Sequence, residues 1–353
     1  MPKIHLGPDL IAQELAALAK ASARNLQILR QLENVQLGVT PREVILSFEG
    51  VTLYRYKAHR TKTKTSPILL VYALVNRPEM TDLQHGRSLI AALLDKGFDV
   101  YLIDWGYPGF THRLVGLSDY ICRYLDKCVD HVRERLNRER ITLLGICQGG
   151  TFSVCYAALN PGKVERLVTT VTPIDFHTQD DMLSHLIRHV DIDALVDAHG
   201  NISGDLLNGL FLLLKPYRLL QQKYVRFFEQ AGDIEAAALF MRMEKWIFDS
   251  PMLTAQVCRE FGCWFYQENR LMRGELRLND EKVDPVKLTM PILNVYASND
   301  HLVPPASSRG LAKLVSSSRY NEEEVAGGHI GVYIGSRASN SLPVLIDEWV
   351  RAN

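Results

Sequence analysis

Short apolar runs alternate with helical tracts along most of this chain, and one boundary between them reads Leu144-Gly145-Ile146-Cys147-Gln148-Gly149-Gly150. Glycines on both sides of a nucleophilic residue are what a sharp strand-to-helix turn requires. They let strand and helix approach closely while the residue between them takes a cramped backbone conformation. The flanking pattern supports that reading. "PILLVYA" (67–73), "FDVYLIDW" (98–105), "ITLLG" (141–145) and "VERLVTTVT" (164–172) read as buried strands, separated by helical tracts over 83–97, 118–138 and 149–159. Such alternation predicts a mostly parallel sheet covered on both faces, wound by right-handed crossovers. Residues 43–57 add two strands joined at Glu49-Gly50, "MPILNVYA" (290–297) and "SRYNEEEV" (318–325) return to the sheet, and a helix over 341–350 closes the chain.

Between about 176 and 286 the alternation stops, and a long helix-biased tract reads as a cap inserted over the carboxyl edge of the sheet. Residues 8–34 carry leucines and isoleucines at helical spacing. The chain thus divides into an amphipathic lead-in over 1–40 and a catalytic α/β domain over 41–353. The apolar stripe of the lead-in fits self-association into a homo-oligomer and intramolecular packing equally well.

Forty basic residues balance forty acidic ones in the 353-residue chain, which argues against a general nucleic-acid binder. The N-terminus has no basic region followed by an apolar run, so no signal peptide is expected. The most apolar segment, Leu206–Leu214, is too short to span a bilayer. None of the six cysteines forms a CxxC pair, and a reducing cytosol is the expected compartment.

Two further residues fall where partners of Cys147 belong. "YASNDHLVPP" (296–305) puts Asp300 beyond a strand, and "VAGGHIGVY" (325–333) puts His329 in a glycine-bracketed loop. The order nucleophile, acid, histidine is that of the α/β-hydrolase fold. In that plan His329 takes the Cys147 proton, or already holds it in an ion pair, and Asp300 orients the imidazole. His301 is a competing base or an auxiliary group. Donors for a developing oxyanion are expected from the Gln148 N–H and from that of Val75 or Leu74. A thioester on cysteine keeps its acyl-donor reactivity, which suits a transferase, although water could also accept the acyl group.

"GICQGG" (145–150) resembles the G-x-C-x-G-G box of polyhydroxyalkanoate synthases, enzymes that build storage polyesters. The likeness extends through "LLVYALVNRPEMTDLQHGRSL" (69–89), "GFDVYLIDWGYP" (97–108), "NISGDLLNGLFLLLKPYRLLQQKY" (201–224), "NDHLVPP" (299–305) and "GGHIGVY" (327–333). Chain length is similar to that of the catalytic subunit of the two-subunit class III enzymes, which implies a PhaE-type partner. A class IV enzyme with a PhaR-type partner is similar in size. The resemblance implies polymerisation of (R)-3-hydroxyacyl-coenzyme A, such as the 3-hydroxybutyryl thioester, with Cys147, Asp300 and His329 as nucleophile, acid and base. His301 also matches a family histidine. Coenzyme A is then a leaving group and no cofactor is implied. A growing polyester chain and the granule surface are implied as partners. Two positions depart from the pattern: Glu79 in "NRPEM" and Ser118 in "LSDY".

Other candidates carry less. His185 and His189 stand four apart but lack the HExxH glutamate, so no metal site is expected. His177 and His199 read as surface or supporting residues. No phosphate-binding glycine motif occurs. "LLNGLFLLLKP" reads as a packed cap helix or as a lid over an acyl channel. Two other functions share these features: a thioesterase or ester hydrolase of the same fold, and a non-catalytic interaction subunit with an idle turn.

Overall fold

The computed structural model describes residues 35–57, 66–215, 222–229, 233–316, 318–335 and 338–353, with scattered helical positions between 12 and 23. The helix expected over 8–34 otherwise lies outside the described residues. The sheet is built from β1 (Arg42–Phe48), β2 (Val51–Tyr56), β3 (Ile68–Val71), β4 (Val100–Asp104), β5 (Ile141–Ile146), β6 (Val164–Thr170), β7 (Ile292–Ala297) and β8 (Tyr320–Val325). Its eight strands lie in the order β1-β2-β4-β3-β5-β6-β7-β8. Strands β1 and β2 pair antiparallel, as do β2 and β4. Every other pairing is parallel.

Strands β3, β5 and β7 are buried along their whole length, as strands covered on both faces must be. Successive side chains point to opposite faces. Leu69, Val71, Tyr101, Ile103 and Leu143 therefore join one core with α2 (Asp126–Leu136) and α3 (Gln148–Leu159). Ile68, Leu70, Val100, Leu102 and Leu144 join the other. That second core includes α1 (Leu89–Asp95) and the closing helix Ala338–Ala352. The edge strand β8, "YNEEEV", is only partly covered, and its glutamates discourage pairing with another chain.

The helix expected over 83–97 is shorter. Asp82–Gln84 and Arg87–Ser88 form a small hairpin, and the helix occupies only Leu89–Asp95. The cause is the buried Asp82 carboxylate, which accepts from Thr40 N and Oγ1 at 2.8 Å each and from Ser88 Oγ at 2.6 Å. Ser88 Oγ in turn caps the helix by accepting from Ala91 N. The tract over 118–138 starts as a π-helical stretch, Asp119–Leu125, before α2.

From residue 171 to 291 the chain leaves the sheet. This stretch holds α4 (Met182–Ile187), α5 (Ile192–His199), α6 (Gly204–Leu213), α7 (Lys223–Glu229), α8 (Ile234–Phe248) and α9 (Ala255–Glu260). Side-chain oxygens of Asp181, Asp191, Ser203, Asp233 and Thr254 cap α4, α5, α6, α8 and α9. Asn208 of α6 donates to the Ile247 carbonyl of α8, joining the two helices. Together with the carboxyl ends of β3, β5 and β7, helices α4, α5, α6, α8 and α9 line a cavity of about 1340 Å³.

Candidate active site

Cys147 stands between β5 and α3 with φ 55° and ψ −129°, a conformation a side chain rarely adopts. Packing enforces it. A Cβ on Gly149 would lie 2.2 Å from the Val71 carbonyl oxygen, and one on Gly145 would lie 2.4 Å from the Gly150 Cα. The Cys147 N–H donates to the Thr170 carbonyl at 2.9 Å, tying the turn to β6. The first turn of α3 thus directs its backbone N–H groups toward the sulfur.

Asp300 follows β7 and is fixed on both oxygens. Its Oδ1 accepts from the N–H groups of Leu302 at 2.9 Å and Val303 at 3.0 Å. Its Oδ2 bonds His329 Nδ1 at 2.7 Å. His329 also hydrogen-bonds Cys147. Since Nδ1 is taken by the carboxylate, Nε2 is the atom that meets the sulfur. Burial alone would lower the imidazole pKa. The negative charges of Asp300 and Cys147 and the hydrogen bonds to both outweigh burial, so His329 stands well above the ordinary value. The three residues placed by sequence reasoning therefore form one hydrogen-bonded line. His301 is half-buried and lines the same cavity, while the Asp300 carboxylate turns to His329.

The two alternatives for the second oxyanion donor separate. The Leu74 N–H donates to Gln148 Oε1 at 3.0 Å and is not available to a substrate oxygen. Val75 is the one of the pair that lines the cavity. Sequence reasoning assigned Gln148 only a backbone role; its buried side chain also holds the loop that carries Val75.

Three tyrosines went unnoticed in the sequence. Tyr72 and Tyr333 are buried, their hydroxyls 3.2 Å apart, and both line the cavity beside Cys147. Tyr266, from the π-helical stretch Phe261–Gln267, lines it as well. Burial pushes all three phenols up, and negative charge on Cys147 adds to the rise. Tyr333 was findable, because it lies one helical turn after His329 in "HIGVY".

The remaining walls are apolar, with Leu183, Ile187, Leu210, Phe211 and Phe261 among them. His177, His185, His189 and His199 are exposed; His185 Nε2 bonds the Gln179 carbonyl oxygen and His177 Nε2 that of Tyr266. Among the described residues, no group of three His, Cys, Asp or Glu side chains is placed to hold a metal ion. Among them, too, no helix is long and apolar enough to cross a membrane.

Comparison with known proteins places the chain in a family. Residues 66–336 match the model of the alpha/beta hydrolase fold. A monoacylglycerol lipase from Paleococcus ferrophilus superposes with a TM-score of 0.52 at 19% identity, over 85% of this chain and 98% of that one. At that identity the likeness shows the fold alone. Sequence relatives are much nearer. The poly(3-hydroxyalkanoate) polymerase subunit PhaC of Allochromatium vinosum is 45% identical over 98% of both chains. That of Thiocystis violacea is 44% identical over 99% of both. The subunit of the same name from a Synechocystis species is 48% identical over 92% of this chain and 88% of its own. The chain belongs to the poly(3-hydroxyalkanoate) polymerase PhaC family, on the alpha/beta hydrolase fold.

Proposed function

We propose that this chain polymerises (R)-3-hydroxyacyl groups from coenzyme A thioesters into poly(3-hydroxyalkanoate), with Cys147 carrying the acyl chain. One observation carries the reading: the bonded line Asp300–His329–Cys147 opens into a large apolar cavity. The names of the relatives support the same product.

Cys147 Sγ attacks the thioester carbonyl as a thiolate, its proton already held by His329 Nε2. The N–H groups of Gln148 and Val75 receive the developing oxyanion. As the carbon–sulfur bond to coenzyme A breaks, His329 returns the proton to the departing thiolate. A hydroxyl of a second monomer or a growing chain then attacks the Cys147 thioester. His329 takes the hydroxyl proton and Cys147 leaves, reprotonated, as an ester forms. Asp300 holds the imidazole and stabilises its cationic form, and His301 orients the incoming hydroxyl. No step needs a cofactor.

Residues 41–353 form the catalytic domain in this reading, with 176–286 as its cap. The relatives' designation as a subunit supports a class III assembly with a PhaE-type second subunit. Exposed Leu206, Leu213 and Phe248 on the cap support contact with insoluble polyester at a granule surface in the cytoplasm.

The test supplies (R)-3-hydroxybutyryl-coenzyme A with and without a PhaE-type subunit, and follows thiol release and product. Long polyester supports the proposal. Free 3-hydroxybutyrate would replace it with a thioesterase, and no release in either arm would leave an interaction subunit. Cys147→Ala should abolish covalent loading, while Cys147→Ser should retain at most a slow reaction.

A further inference from the structure

The Tyr72 and Tyr333 hydroxyls bond each other and, among the described residues, have no second partner. One phenolic proton closes that bond. The other proton has no acceptor among the described residues, although both side chains are buried. A buried hydroxyl left partly unsatisfied is costly, and here it borders a cavity whose other walls are largely apolar.

The backbone that carries both rings is anchored. The Tyr72 carbonyl accepts from Trp105 Nε1 at 2.9 Å, and its backbone packs against Gly149 of the nucleophile turn. Tyr333 sits in the short helix Gly331–Ile334, directly after His329. The two hydroxyls thus meet on the wall of the cavity that Cys147 and His329 also line.

We infer that the Tyr72–Tyr333 pair binds the 3-hydroxyl of the acyl group at Cys147 and so selects 3-hydroxyacyl over unsubstituted acyl thioesters. The thioester oxygen has its own donors in the N–H groups of Gln148 and Val75, which leaves the spare phenolic proton for the substrate's other oxygen. A hydroxyl both donates and accepts, as the tyrosine pair does. A site built to hydrogen-bond a substrate hydroxyl discriminates strongly against the analogue without it, because its own polar groups then stay unpaired.

The inference rests on the function proposed above, and its test separates the two. Single-turnover release of coenzyme A is measured for the complex with its second subunit, using (R)-3-hydroxybutyryl-coenzyme A and butyryl-coenzyme A. Wild type and Tyr72→Phe/Tyr333→Phe are compared. Removing both hydroxyls together leaves no orphan in the protein, so the double variant should fold. Wild type should favour the hydroxylated thioester, and in the variant that preference should fall about tenfold, the scale of one hydrogen bond. An unchanged preference overturns the inference while polymerisation stands. Equal losses on both thioesters overturn it too, since the pair would then serve the sulfur or the carbonyl. If wild type releases no coenzyme A from either thioester, the proposed function falls and the inference with it. Should the double variant not fold, Tyr333→Phe alone is judged by the same ratio.

Discussion

His329 Nδ1 meets Asp300 Oδ2 at 2.7 Å across 29 positions of sequence. The sheet brings them together. Strands β7 and β8 are parallel neighbours with Ala297 level with Val325, so the loops that follow start side by side. Ser298 N then bonds the Val325 carbonyl at 3.0 Å and Asn299 N that of Gly327 at 2.8 Å. Backbone pairing continues almost to the two functional side chains, and the remaining Asp300 oxygen is occupied by Leu302 and Val303 N–H groups. Little freedom is left for the carboxylate to turn toward His301.

Burial and charge oppose each other at His329, and the sign of the balance can be tested. With its pKa raised in the folded state, His329 contributes stability that is complete below the ordinary imidazole value of 6.5. That contribution is lost as pH rises through the raised value. Asp300→Asn keeps an acceptor for the backbone but removes the charge, so the balance should shift toward burial although Cys147 still opposes it. The His329 ring resonance should titrate at lower pH in the variant, and the pH-dependent part of thermal stability should flatten. An unmoved titration would mean that Asp300 is not the source of the rise.

The turn around Cys147 predicts opposite effects for the same substitution at two glycines. At Gly149, an added methyl meets the Val71 carbonyl oxygen at 2.2 Å, and a backbone atom in a central strand has nowhere to go. Gly149→Ala should cost about 1–3 kcal/mol in urea unfolding, the range for overpacking a filled interior. It should also disable acylation by displacing Cys147. At Gly209, inside α6, nothing lies within 4 Å of the added carbon. Gly209→Ala should raise stability by about 0.5–1 kcal/mol, since alanine is the better helix former. Equal effects at the two sites would contradict the packing argument.

What could be read in the sequence follows from how local each signal is. The glycines around Cys147 and the apolar strands are written in adjacent residues, so the turn, the sheet and the order Cys147, Asp300, His329 were legible. The hairpin at Asp82–Ser88 was not, because its cause is a carboxylate bonded to Thr40, far away in sequence. The same holds for the Gln148 side chain on Leu74 and for the Tyr72–Tyr333 pair, which are contacts between separate elements. The two departures from the family pattern also find their reasons only in three dimensions. Glu79 pairs with Arg42 at 3.2 Å and Arg77 at 3.4 Å, and Ser118 Oγ accepts from the Asn279 N–H.

Arg77 links the loop after β3 to both the sheet and the cap, which yields a double-mutant test. Its guanidinium grips Asp104 at the end of β4 through two bonds of 2.7 and 2.6 Å, and both side chains are about nine-tenths covered. Its carbonyl accepts from Trp246 Nε1 of α8 at 2.7 Å. Such a fork is strong in geometry, but its stability effect depends on which partner is lost. Arg77→Leu strands Asp104 with, among the described residues, only the Gly106 N–H as a partner, and should cost about 3–5 kcal/mol. Asp104→Leu should cost less, because Glu79 still faces the guanidinium. The double substitution should cost less than the sum of the two, since no charge of the pair remains buried alone. Val75 lies two residues before Arg77, so each single change should also slow acylation more than it weakens substrate binding. Additive unfolding energies would contradict the coupling of this ion pair, and a loss confined to KM would detach it from the oxyanion role proposed for Val75.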